Sequence, residues 1–257
     1  MFMTFNNKVY FKTSEKMSEV ESKTIQMVVT SPPYWDLKNY RVENQIGYDE
    51  DYEKYLGRLY KVWKECFRVL KDNGVTWINI NTKSYDKSLV LIPFDFIKQM
   101  KSIGFYFKDI LIWHKSSGIP SQKNLNDHFE YFLLFTKNKI NFKNYNIFNN
   151  YFDYKLDKIV NYVPIWNINK KFGSVGKKFM IHPAIFPVEF IERLINIFTD
   201  KEDVILDPFL GSGTTLIAAI KNSRNCIGYE LNKDDYKQLI ISRLKNYKIP
   251  LEKVIFY

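Results

Sequence analysis

Apolar positions along this chain fall into two rhythms. Short runs stopped by turn residues read as buried strands: Gln26–Thr30 (QMVVT), cut off by Pro32–Pro33; Val75–Ile80 (VTWINI), after Asn73–Gly74; then Tyr106–Trp113, Tyr131–Thr136, Val204–Leu206 and Cys226–Glu230. Between them, apolar residues return at helical spacing. In 49–70 Tyr52, Leu56, Leu59, Trp63 and Phe67 share one face, and Asp49, Glu50 and Asp51 put negative charge where a helix start favours it. Further helices are expected over Pro93–Ser102, Pro187–Phe198, Thr214–Asn222 and Asp234–Lys245. Strands alternating with helices predict an α/β fold, a mostly parallel sheet covered on both faces.

One stretch keeps neither rhythm. Residues 137–180 hold nine Lys, no Arg, two acids, ten aromatics and nine Asn, a charge surplus of seven out of the chain's ten. The expected organisation is therefore one domain in two parts, 1–136 and 181–257, with 137–180 as an insert between them. Charge concentrated in this way fits a docking surface for an anionic partner better than a merely solvated loop.

Composition narrows the class. With 257 residues, 46% hydrophobic and 26% charged, the chain can bury a core and is not disordered. No apolar run approaches the roughly 18 residues that span a bilayer. The start, MFMTFNNKVYFK, has no apolar signal core, and two cysteines, Cys66 and Cys226, build neither a disulfide framework nor a zinc site. A cytoplasmic protein with no metal is expected. The net charge of +10 and 17% aromatic content suit nucleic acid, although AT-rich coding raises the same residues.

The sharpest local pattern is Val204–Thr215 (VILDPFLGSGTT). A strand runs into Asp207, a turn carries Gly211 and Gly213, and a helix opens on Thr214–Thr215. Glycines allow positive φ and close approach to a ligand, and a helix start offers free N–H groups. Glu230, 23 residues beyond Asp207, closes the next strand, where nucleotide folds place the acid that holds ribose hydroxyls. Neither G-x-G-x-x-G nor G-K-[ST] is present. A ligand with a ribose and no phosphate fits, which points to S-adenosylmethionine.

Thr30–Trp35 (TSPPYW) follows the first buried strand. Two prolines fix the backbone and remove two N–H groups, leaving carbonyls exposed. A Ser hydroxyl, a Pro carbonyl and an aromatic face make a clamp for a planar amine. The alternative is a rigid loop with a capping Ser and a packing ring. Its place at the carboxyl end of a parallel strand, where such sheets bind ligands, favours the clamp.

These residues resemble a known family, the permuted beta class of DNA amino-methyltransferases of prokaryotic restriction–modification systems, specific for N4 of cytosine or N6 of adenine. Ser31-Pro32-Pro33-Tyr34 resembles its catalytic motif and Asp207–Thr215 its cofactor motif. His182-Pro183-Ala184 is similar to the segment that closes over the methionine end of the cofactor, and Glu230 to the ribose acid. Asp109–Lys115 and His128–Lys137 resemble the target-base side. The likeness runs from about 24 to 247, in the catalytic-first order of that class. It implies a Rossmann-like S-adenosylmethionine-dependent methyltransferase fold with 137–180 as a small irregular target-recognition insert. It implies that Ser31, Pro32, Pro33 and Tyr34 are catalytic and that a base is flipped from double-stranded DNA. Cofactor contacts would come from Thr30, His182, Pro183, Asp207, Pro208, Phe209, Gly211, Ser212, Gly213, Thr214, Thr215 and Glu230, and DNA contacts from Lys170, Lys171, Lys177 and Lys178. Ser at the first motif position goes mostly with N4-cytosine; N6-adenine is the alternative, and a catalytically silent DNA-binding relative is a third reading. No Pro-Cys pair is present for C5 chemistry. A cognate restriction endonuclease and a homodimer are further implied partners.

Overall fold

The computed structural model describes residues 7–114, 129–139 and 187–257, with the backbone of three short strands between the last two blocks. In chain order the strands and helices are β1 (Asn7–Tyr10), β2 (Ile25–Thr30), α1 (Tyr52–Val69), β3 (Leu70–Ile80), β4 (Lys83–Tyr85), β5 (Ser88–Val90), α2 (Ile92–Ile103), β6 (Tyr106–His114) and β7 (Phe129–Thr136). There follow β8 (Phe152–Asp153), β9 (Lys158–Ile159), β10 (Ile165–Asn167), α3 (Val188–Phe198), β11 (Val204–Asp207), α4 (Thr214–Lys221), β12 (Asn225–Tyr229), α5 (Lys233–Asn246) and β13 (Val254–Phe256).

The main sheet runs β10-β6-β7-β3-β2-β11-β12-β1-β13. Every neighbouring pair is parallel except those of β7, which is antiparallel to β3 and to β6. Strand side chains alternate between two cores, the period-2 signature of a sheet buried on both faces. Met27, Val29, Val75, Trp77, Ile205 and Cys226 face α3, α4 and α5. Val28, Ile78, Ile80, Leu133, Phe135 and Leu206 face α1 and α2.

Each helix forms for a local reason. Asp51 caps α1, its carboxylate accepting from the Lys54 N–H at 2.7 Å, and Asn232 caps α5 through the Asp235 N–H at 3.1 Å. The α3 stripe of Phe190, Ile191, Leu194 and Ile195 is fully buried. At about 1.5–3 kcal/mol per large apolar side chain, that face alone fixes α3 to the sheet.

The structure differs from the sequence expectations at the edges. Strands β1 and β13 carry no sequence signal; they extend the sheet beyond β12. The Asn73–Gly74 turn lies inside β3, where the pairing jumps from Ile25↔Leu70 to Met27↔Val75. A two-residue hairpin, β4–β5, turns at Asp86–Lys87, both at positive φ. Within the expected insert, β10 pairs with β6 and so joins the edge of the main sheet. Among the described residues no helix is long and apolar enough to cross a membrane.

Candidate active site

Strands β2 and β11 lie side by side at mid-sheet, and the chains leaving them turn to opposite faces, β2 toward α1 and β11 toward α4. That is a topological switch point, where open α/β sheets bind ligands at the strands' carboxyl ends. A cavity of about 520 Å³ opens there.

Asp207 ties the two strands together. It is 2% exposed. Its Oδ1 accepts from the Thr30 hydroxyl at 2.7 Å and the Phe209 N–H at 3.1 Å; its Oδ2 accepts from the Thr215 hydroxyl at 2.6 Å. Burial pushes its pKa up to about 6, against the pull of those hydrogen bonds. Both oxygens are thus committed within the protein, and Asp207 organises the turn.

The turn itself places Pro208, Phe209, Gly211, Ser212, Thr214 and Thr215 on the cavity wall. Gly211 and Gly213 take φ of +51° and +81°. Of the two, Gly211 lines the cavity. Gly213 needs glycine for its backbone angle, and a Cβ there would also meet Ile240 of α5 at 3.3 Å. Glu230 follows β12 directly. It accepts from the Gly211 N–H at 2.9 Å and the Asn232 N–H at 2.8 Å, and burial raises its pKa to about 7.

The Ser31–Tyr34 turn forms the adjoining wall. Tyr55 of α1 donates to the Pro33 carbonyl at 2.9 Å, which leaves the Pro32 carbonyl without that restraint. Trp35 is held behind the turn by the Glu50 carbonyl at 2.9 Å and by the rings of Tyr52 and Tyr85.

Sequence reasoning missed Asn79 and Glu130. Asn79 of β3 donates from Nδ2 to the Tyr131 carbonyl of β7 at 3.3 Å, so its Oδ1 faces the site. That oxygen lies 3.3 Å from both the Ser31 and Tyr34 hydroxyls, and the single Tyr34 proton has two alternative acceptors, Asn79 Oδ1 and Glu130 Oε2 at 3.2 Å. Burial first, then the Glu130 charge, holds the Tyr34 phenol well above its usual pKa. With its proton directed at Asn79, Ser31 presents lone pairs to the cavity. Pro32 follows on the same cavity wall. Asn79 carried only one sequence signal, a polar residue inside an apolar strand run.

Other walls were also unforeseen: Lys12–Ser14 after β1, Gln45 and Ile46 before α1, and Tyr236 on α5. His182, Pro183, Lys170, Lys171, Lys177 and Lys178 lie outside the described residues. Cys66 and Cys226 are both buried, and burial raises both thiols' pKa. Among the described residues no cluster of His, Cys, Asp or Glu could hold a metal.

A sheet of this order, with the Gly211–Gly213 turn, Glu230 and the Ser31–Tyr34 turn gathered at one switch point, has the architecture of a Rossmann-like methyltransferase. A DNA methylase family model (N6_N4_Mtase) matches residues 25–241. The chain belongs to that family of DNA amino-methyltransferases. It is 33% identical to the type II methyltransferase M.MjaI of Methanocaldococcus jannaschii, over 90% of this chain and 89% of that one. Its fold matches TTHA0409 of Thermus thermophilus, solved in complex with S-adenosyl-L-methionine, with a TM-score of 0.72 and 27% identity over 97% of each chain. The PvuII cytosine-N4-specific DNA methyltransferase shares the fold, with a TM-score of 0.75 and 23% identity over 97% of this chain and 90% of that one.

Proposed function

We propose that this protein transfers a methyl group from S-adenosylmethionine to the exocyclic N4 amine of cytosine in double-stranded DNA. The observation that carries the reading is the neutral Ser31 hydroxyl, bonded to Asn79, with Pro32 next to it on the cavity wall.

The residues present fit the cofactor. The Glu230 carboxylate would accept from ribose hydroxyls, and Gly211, Ser212, Thr214 and Thr215 would line its path, held by Asp207 from behind. Thr30 and Gly213 would act through that same scaffold. When bound, S-adenosylmethionine supplies a methyl group on a sulfonium centre.

Ser31 and Pro32 would each accept one amine proton, holding the nitrogen in place and drawing its lone pair out of the ring. Positioning of this kind supplies much of the acceleration in such transfers. Tyr34 would stack on the flipped base, its hydroxyl tethered by Asn79 and Glu130. The Lys-rich stretch 137–180, with Lys170, Lys171, Lys177 and Lys178, would dock the duplex. The type II methyltransferase relatives support a role in a restriction–modification system; a cognate restriction endonuclease and a cytoplasmic location belong to this reading by family resemblance. A homodimer belongs to the same reading by family resemblance.

The test is chemical. DNA from a methylation-free host expressing the protein is digested to nucleosides and analysed by mass spectrometry. N4-methylcytosine is expected. N6-methyladenine would overturn the base assignment alone, and unmodified DNA would favour a silent DNA-binding protein.

A further inference from the structure

Methylation of an amine leaves a proton to be removed. As the nitrogen bonds to the methyl carbon, positive charge passes from sulfur to nitrogen, and the neutral product forms only when that nitrogen sheds a proton. Ser31, the Pro32 carbonyl and the Asn79 amide are neutral hydrogen-bonding groups, and none of them holds a proton at neutral pH. A carboxylate at position 31 would do so; the hydroxyl there does not.

Three carboxylates line the cavity among the described residues, Asp207, Glu230 and Glu130. Asp207 has both oxygens in bonds to Thr30, Phe209 and Thr215, and Glu230 is bonded to Gly211 and Asn232 beside the glycine turn. Glu130 of β7 stands on the clamp side, half-buried, its Oε2 3.2 Å from the Tyr34 hydroxyl. The tyrosines of the wall, Tyr34, Tyr40, Tyr229 and Tyr236, have pKa values raised by burial and keep their protons. Its lysines, Lys12 and Lys38, are donors.

The geometry directs the amine to Glu130. The Ser31 and Tyr34 hydroxyls lie 3.3 Å from the same Asn79 oxygen, so Ser31 sits toward the hydroxyl end of the Tyr34 ring. A base stacked on that ring with its amine on Ser31 turns the amine toward the same end, where Glu130 stands. The Tyr34 proton can also turn to Asn79, which leaves Glu130 Oε2 open to a proton from the substrate.

We propose that Glu130 is a catalytic residue, the base that takes the proton lost by the target amine. This rests on the reading of the cavity as an amine-methylating site. The bond from nitrogen to the methyl carbon forms as the carbon–sulfur bond breaks, and sulfur keeps that electron pair. One N–H bond of the amine then breaks, its electron pair stays on nitrogen, and the proton passes to a Glu130 oxygen directly or through one water. As the carboxylate becomes neutral, the Tyr34 hydroxyl turns to Asn79.

The experiment is single-turnover methylation of a short duplex containing the site that wild type methylates, by wild type, Glu130→Gln and Glu130→Ala. Cofactor affinity and the fluorescence of 2-aminopurine at the target position, which reports base flipping, are measured in parallel. Glutamine keeps an acceptor for the Tyr34 hydroxyl and cannot take up the proton. Glu130→Gln should slow transfer by at least about a hundredfold, the usual worth of a general base, with cofactor affinity and flipping within about twofold of wild type. Glu130→Ala should be as slow and regain about tenfold or more in formate, and nothing in formamide, which has a similar shape without the charge. A Glu130→Gln rate within about threefold of wild type would overturn the proposal, as would a loss that follows weaker flipping or cofactor binding. Rescue by both additives, or by neither, would show that Glu130 only supports Tyr34 and would overturn it too. Should Glu130→Ala fail to fold, Glu130→Gln decides alone. A wild type that methylates no DNA amine removes the proposed function, and this role with it.

Discussion

The hydroxyl of Thr30 donates to Asp207 Oδ1 at 2.7 Å, a buried hydrogen bond between residues 177 positions apart. It joins the end of the strand that carries the amine clamp to the end of the strand that carries the glycine turn. Thr30→Val keeps the shape and deletes the donor, leaving that carboxylate oxygen with only the Phe209 N–H. The expected cost is about 1–3 kcal/mol of stability. Denaturant unfolding measures it; an unchanged midpoint would show that the bond carries no weight.

Glu230 should make cofactor binding pH-dependent. Its pKa is raised to about 7 by burial, while ribose hydroxyls donate best to the ionised form. Affinity for S-adenosylmethionine should therefore climb as pH rises through about 7, and binding should release protons. Glu230→Gln should lower the affinity by about one to two decades, the worth of hydrogen bonds to a charged acceptor, and flatten the profile. Titrations at pH 6 and 8 decide it.

The same shifts set the stability of the ligand-free protein. Asp207 and Glu230 have folded pKa values of about 6 and 7, above their ordinary values of 3.8 and 4.5. Between those limits the folded state binds more protons than the unfolded one, so their contribution to stability falls as pH rises. Between about pH 4 and 6, Asp207→Asn should reduce that fall. Thermal melts of wild type and variant across the window would reveal it.

Gly213→Ala tests the turn geometry. A side chain at φ +81° costs about 1–2 kcal/mol, and its Cβ would press on Ile240 at 3.3 Å. The main loss should be in folding stability, with weaker cofactor binding following from it. A variant that melts like wild type yet fails to bind would put this glycine against the ligand after all.

Asn79→Ala removes the acceptor that both Ser31 and Tyr34 face. Freed to rotate, Ser31 no longer presents only lone pairs. The expected result is a fall in kcat of about tenfold or more, the worth of one hydrogen bond in the transition state, with KM for the cofactor unchanged. Single-turnover methylation of a duplex substrate measures this directly.

Neutralising Lys170, Lys171, Lys177 and Lys178 together should weaken DNA binding and flatten its salt dependence by up to ~0.9 in log–log slope per lost phosphate contact. Cofactor affinity should stay put. An unchanged slope would move the docking face elsewhere.

What was legible in the sequence is what rests on local rules. Periodicity placed α1 and α3, because each carries a full stripe of apolar residues, and short apolar runs placed the central strands. The glycine turn and the Ser-Pro-Pro-Tyr turn were visible because backbone angles demand those residue types. The rest depends on contacts that no local rule encodes. Strands β1 and β13 span only Asn7–Tyr10 and Val254–Phe256, too short to show a period. The β4–β5 turn uses Asp86–Lys87 at positive φ without a glycine to announce it. Asn79, Glu130 and Arg243 each have an ordinary local reading: a polar residue in a strand, a charge at a strand start, a cation in a helix's last turn. Only the sheet order and the α5 packing bring Glu130 to the cavity and Asn79 and Arg243 against its walls.

The atom that turns the Asn79 amide is the Tyr131 carbonyl, part of the main chain of β7. No substitution can delete a main-chain carbonyl. The acceptor character of the amine clamp is thus inherited with the strand pairing, Asn79 opposite Phe132, and not with the side chain at 131. Residue 131 is free to vary without changing what Ser31 offers. A drift in target chemistry would have to begin at Ser31 or Asn79 themselves, or with a slip of β7 that the two buried cores on either side resist.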